Sequence, residues 1–249
     1  MHKQNVRWTT VIVYYILACL FSWPFFIWRD VFDESWRNSG ISGGLRNLAL
    51  MWGPGLSAII CFLVFRSTHK RRITFKGTSL LFGLATYLLP FAAWFVLSLA
   101  FPENEPSREN NLLMLIPFGF AMILGEELGW RGFLQDALLP IKNEWKRWVL
   151  LGVMWEVWHC TRGIMGKDFL AAITFKLLMT ISVILLTIII GKLTEKTKSL
   201  FIGLAIHSWV NIQFEFDGLN VRIAGIFALL LWTVLIIKWP SKKSEVGQT

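Results

Sequence analysis

Eight stretches of this chain, near residues 9–28, 48–66, 78–101, 112–134, 147–163, 169–191, 198–214 and 221–238, are apolar over the length of a bilayer crossing. About 20 residues of helix span the hydrocarbon region of a membrane. Inside lipid, every backbone N–H and C=O must find its partner within the segment, which restricts such runs to helices. Composition agrees: 55% of the residues are hydrophobic and 16% charged, against roughly a quarter charged in an average soluble domain. The mean hydropathy is +0.53, and several segments are apolar all round rather than along one stripe, unlike water-facing helices. The expected fold is all-α, a polytopic membrane helix bundle of about eight transmembrane helices. It forms one membrane domain over residues 1–240, followed by a polar tail at 241–249.

The loop charges orient these spans. With the N-terminus cytoplasmic, the loops on that side carry +12 and the opposite loops −2; the second loop alone, with Arg66, Lys70, Arg71, Arg72 and Lys76, supplies +5. The other inward contributions come from Lys3 and Arg7, from the fourth and sixth loops, and from Lys238, Lys242, Lys243 and Glu245 in the tail. An even number of spans with both ends cytoplasmic satisfies the positive-inside rule. The basic run His69-Lys70-Arg71-Arg72 is read as a topology anchor at the lipid surface. The net charge of +9 therefore belongs to membrane loops. No basic tract interleaved with aromatics points to nucleic acid. Ile16-Leu17-Ala18-Cys19 resembles a bacterial lipobox, but the apolar run continues to Trp28, and the segment is expected to be an uncleaved span. Cys19, Cys61 and Cys160 have no spacing that suggests a disulfide framework or a zinc knuckle.

The fourth, fifth and seventh spans contain what lipid disfavours. Gly125-Glu126-Glu127-Leu128-Gly129-Trp130-Arg131-Gly132 places two carboxylates and a guanidinium within six positions. Each such charge costs about 2.5–3.5 kcal/mol at mid-membrane on insertion scales. Glu127 and Arg131 are four apart, share a helix face and can pair. Glu126 is turned about 100° from Glu127 and has no cation on its own face. Gly125, Gly129 and Gly132 are small enough to let neighbouring helices approach. The fifth span holds Trp155-Glu156-Val157-Trp158-His159, and the seventh His207-Ser208-Trp209-Val210-Asn211, with His207 and Asn211 on one face.

A carboxylate and a histidine can orient a water and take its proton. A second histidine and an amide can donate hydrogen bonds to an oxyanion. Glu126, His159, His207 and Asn211 are thus a set for hydrolysing an amide within a membrane, supported by Glu127, Arg131 and Trp155. Glu126, His159 and His207 could instead ligate zinc, although a His-Glu-x-x-His helix is absent. The cofactor is therefore none or zinc.

Glu126-Glu127-x-x-x-Arg131, then an aromatic-x-x-x-His ending at His159, then His207-x-x-x-Asn211, in that order on three spans, resembles the CPBP intramembrane proteases. These are also known as the Abi or CAAX type II prenyl endopeptidase family. The likeness covers roughly residues 110–215, and Gly53-Pro54 in the second span is also similar. The second motif usually opens with Phe, where this chain has Trp155, and Glu156 beside it is unusual. The resemblance implies Glu126 as general base on water assisted by His159, His207 and Asn211 as the oxyanion hole, and Glu127 and Arg131 as support. Family members are described both as metalloproteases and as glutamate-dependent enzymes. Some are linked to bacteriocin processing and self-immunity, others to cleavage of prenylated CAAX tails. The implied partners are a peptide or protein substrate in the membrane and the bilayer itself. The implied location is a cell membrane, multi-pass, of the bacterial plasma-membrane kind. Two other functions fit the residues: a non-catalytic immunity or scaffold protein of the same fold, and an ion-coupled transporter using the buried charges. The second is disfavoured because the two halves show no repeat.

Overall fold

The computed structural model describes residues 6–32, 43–66, 71–101, 112–160, 162, 166–215 and 218–239, with the side chains of 43–44, 112–118 and 215 excepted. The helices are α1 (Trp8–Ile27), α2 (Gly43–Val64), α3 (Leu80–Ala100), α4 (Leu112–Gly129), a π-helical segment (Trp130–Leu134), α5 (Gln135–Leu138), α6 (Glu144–Trp158), α7 (Phe169–Thr197), α8 (Leu200–Glu215) and α9 (Leu219–Ile237). Among the described residues there is no strand, only an isolated bridge between Thr74 and Ser199. The protein is an all-helical, polytopic membrane protein, and a helix overlaps each of the eight expected stretches. Five of them, in α1, α2, α3, α7 and α9, are long and apolar enough to cross a membrane, and Leu200–Phe214 in α8 is a shorter apolar helix. Lys3, His69, Lys70, Lys242, Lys243, Glu245 and the tail 241–249 lie outside the described residues.

Several boundaries differ from the sequence expectation for identifiable reasons. The fourth span is not one continuous α-helix over 112–134. Its α-helical part ends at Gly129, and the Gln135 N–H reaches the Trp130 carbonyl, five residues back. The fifth span stops at Trp158 rather than 163, with His159 as C-cap, its N–H on the carbonyls of Glu156 and Val157. The sixth continues from 191 to Thr197. Lys192, Glu195 and Lys196 are good helix formers, and leaving the apolar layer does not end a helix. The sixth loop is thereby reduced to Lys198 and Ser199, and Lys198 takes a left-handed φ of 55°.

The helices pack as two compact units. One comprises the described residues of Met1–Arg72 and Phe120–Lys192, the other those of Ile73–Gly119 and Leu193–Thr249. In the first, glycines set the helix spacing. A Cβ on Gly125 would stand 2.6 Å from the Met51 carbonyl and 2.7 Å from the Trp52 Cα, and one on Gly129 would stand 2.5 Å from both the Pro54 Cβ and the Tyr14 hydroxyl. The α2 and α4 backbones therefore touch, as small residues permit in membranes. The Trp52 indole also donates to the Ala121 carbonyl at 2.7 Å. Next to this crossing the rings of Tyr14 and Phe133 stack at 4.9 Å, and Phe62 meets Phe133 edge-on at 5.2 Å.

In the second unit, residues 73–78 fold against the α7–α8 connection. The Thr74 N–H donates to the Lys198 carbonyl at 3.0 Å, and the Leu200 N–H donates to the Thr74 carbonyl at 2.9 Å. The Trp232 indole on α9 donates to the Thr86 carbonyl on α3 at 2.8 Å. Trp209 of α8 packs edge-on against Phe91 and Trp94 of α3 at 5.2 and 5.8 Å.

Candidate active site

Five of the seven residues singled out by sequence, Glu126, Glu127, Arg131, Trp155 and His159, lie in the first unit, and all five are buried. Glu126 and Glu127 occupy the last turn of α4, and Arg131 falls in the π-helical segment directly after it. All five residues of that segment are buried. Single π turns inside α-helices are frequent at functional sites.

The two neighbouring carboxylates have different partners. Glu127 Oε2 stands 3.3 Å from Arg131 Nε, with both side chains fully buried. The i, i+4 pairing expected from sequence thus forms even though it straddles the α-to-π boundary. Glu126 Oε2 instead accepts a hydrogen bond from the Trp155 indole N–H at 2.9 Å. The donor there is neutral, so Glu126 is held without a direct countercharge on that oxygen. The Arg131 guanidinium also lies over the Trp155 ring, 4.8 Å from its centroid. Trp155 therefore uses its edge for one motif residue and its face for another, a combination its amphipathic ring system allows.

His159 is placed by the end of α6. Its imidazole packs at 4.9 Å from the Trp158 ring, 6.1 Å from Trp155 and 6.3 Å from Phe26. Trp158 is itself fixed by the Trp130 ring at 5.7 Å, and its carbonyl accepts from the Trp23 indole at 3.1 Å. Glu156 bridges His159 Nδ1 at 3.5 Å and Lys176 Nζ at 2.9 Å. Lys176 is a polar residue of α7 absent from the sequence analysis, since a lysine within an apolar stretch of helix carries no motif that names its partner. The indole N–H of Trp155 adds a donor that the Phe usual at this motif position lacks.

His207 and Asn211 belong to the second unit, on one face of α8. His207 is buried and Asn211 half-buried. Among the described residues no three His, Cys, Asp or Glu side chains form a group able to hold a metal ion.

Residues 108–213 match the family described as Type II CAAX prenyl endopeptidase Rce1-like. That region of the chain is similar to the CAAX protease family. A protein named CAAX prenyl protease 2, from Methanococcus maripaludis, is 27% identical over 138 aligned positions, 51% of each chain. The chain thus spans about half the length of that relative. The matched region contains all seven residues singled out above.

Proposed function

We propose that this protein is an intramembrane endopeptidase that hydrolyses a peptide bond of a membrane-embedded or lipid-tethered peptide or protein. The observation that carries the proposal is a buried carboxylate, Glu126, hydrogen-bonded to a neutral indole that also packs beside His159. A structural carboxylate inside a membrane helix is best explained by a cationic partner, which Glu127 has and this oxygen of Glu126 does not.

In the proposed reaction Glu126 takes a proton from a water that His159 helps to orient. The water oxygen bonds to the scissile carbonyl carbon, and the carbonyl oxygen becomes an oxyanion. The resemblance of His207-x-x-x-Asn211 to the family's third motif supports these two side chains as the hydrogen-bond donors to that oxyanion. The proton held by Glu126 then passes to the departing amine as the C–N bond breaks. Glu127 and Arg131 keep the end of α4 and the π turn in place.

The substrate class follows the relative's name, so a prenylated peptide ending in a C-a-a-X sequence is the first probe. The loop charges support a multi-pass plasma-membrane location with cytoplasmic ends. The test uses purified full-length protein in lipid nanodiscs with that peptide, together with proteomics of membranes from cells carrying wild type or Glu126→Ala. Cleavage that disappears in both Glu126→Ala and His159→Ala, with membrane insertion intact, is expected; full activity in both variants overturns the proposal. Elemental analysis of the active preparation separates the two forms of this reading: a preparation without stoichiometric zinc has a base-activated water, and one zinc per chain a metal-bound one.

A further inference from the structure

Within the first unit, one charged cluster is left over once the family motifs are placed. Glu156 is buried, and its two carboxylate oxygens face different partners. Oε1 meets Lys176 Nζ on α7 at 2.9 Å, and Oε2 stands 3.5 Å from His159 Nδ1. Neither Glu156 Oε2 nor His159 Nδ1 has a hydrogen-bond partner among the described residues. The two atoms left over therefore face each other. The backbone repeats the relation, since the His159 N–H donates to the Glu156 carbonyl at 3.0 Å.

We infer that Glu156, tethered by Lys176, is a positioning residue that keeps the proton of His159 on Nδ1 and leaves Nε2 as the imidazole's acceptor. Which ring nitrogen carries the proton is set by the hydrogen bond that the other groups offer it. A carboxylate only accepts, so it selects Nδ1–H. Close contacts of this kind are often long before substrate binds and shorten in the complex. Lys176 has a matching role: it draws Oε1 toward α7 and so turns Oε2 to the ring. The arrangement also accounts for two charges that an apolar helix pair would otherwise not retain.

The catalytic value of this device rests on the protease reading, but the proton position can be measured without any substrate. Full-length protein labelled with 15N-histidine, reconstituted in nanodiscs at neutral pH, is examined by NMR, with His159 assigned from its loss in His159→Gln. The Nδ1–H form is expected in wild type and in Glu156→Gln, whose amide oxygen still accepts. It is expected to be lost in Glu156→Leu. With the prenylated peptide, Glu156→Leu should lower kcat about tenfold or more, the loss typical when a carboxylate that orients a histidine is removed, with KM nearly unchanged; Glu156→Gln should recover most of it. An Nε2–H form in wild type, or an Nδ1–H form unaltered in Glu156→Leu, overturns the inference. If the form follows Glu156 but wild type cleaves nothing, the protease reading fails and the positioning of His159 stands.

Discussion

Glu126 and Glu127 are adjacent, equally buried carboxylates, yet they have been given opposite surroundings. Glu127 lies against the guanidinium of Arg131, and its charge is matched locally. Glu126 meets the neutral N–H of Trp155, and its charge is tolerated rather than cancelled. The difference arises from the helix itself, since consecutive residues point about 100° apart: one faces along its own helix to the π turn, the other across to α6. A motif of two acids in a row is thus a way of giving adjacent buried carboxylates one charged and one neutral partner. Position alone does not separate them; the partner does.

The contrast breaks first at Glu126. Glu126→Gln keeps the size and an acceptor for Trp155 but cannot take a proton, so cleavage should fall by about 10²–10⁴-fold, while the thermal midpoint moves little. If Glu126→Gln lowers the thermal midpoint sharply while the remaining folded protein keeps its specific activity, the two acids have been assigned the wrong way round. At Glu127 the balance is reversed. Arg131→Met leaves Glu127 buried without its cation and should cost about 3–5 kcal/mol of stability, read as a lower unfolding midpoint in detergent. The double variant Glu127→Gln/Arg131→Met should recover much of that loss, because the cost lies in the unmatched charge.

Trp155→Phe sharpens the comparison. It restores the residue usual in the family, keeps a ring beneath Arg131, and deletes only the bond to Glu126. A hydrogen bond to a charged group contributes about 1.5–3 kcal/mol; activity should drop about tenfold or more, with the Glu127–Arg131 pair undisturbed. An unchanged rate would mean that the indole is packing alone. The smallest effect is expected at the helix crossing that carries both acids. Gly125→Ala forces a methyl against the Met51 carbonyl and should destabilise by about 1–3 kcal/mol, lowering activity only in proportion to folded protein.

Much of this was legible in the chain of residues. Apolar runs of bilayer length must be helices because lipid offers the backbone no other partner, so the order and approximate ends of the spans followed from hydropathy. The i, i+4 spacing of Glu127 and Arg131 was enough to pair them, and Gly125 and Gly129 marked where α4 would be approached. Other features depended on contacts distant in sequence. Whether Glu126 meets a cation or an indole is set 29 positions away at Trp155. The partner of Lys176 is fixed only by α7, which brings it to Glu156. The π turn at Trp130–Leu134 is equally invisible, since a string compatible with one helix does not say where its hydrogen bonds widen to five residues. Local sequence determined which segments are helices and which residues share a face; side-chain partners were decided by helix packing, because a buried polar atom takes whichever donor or acceptor the neighbouring helix delivers.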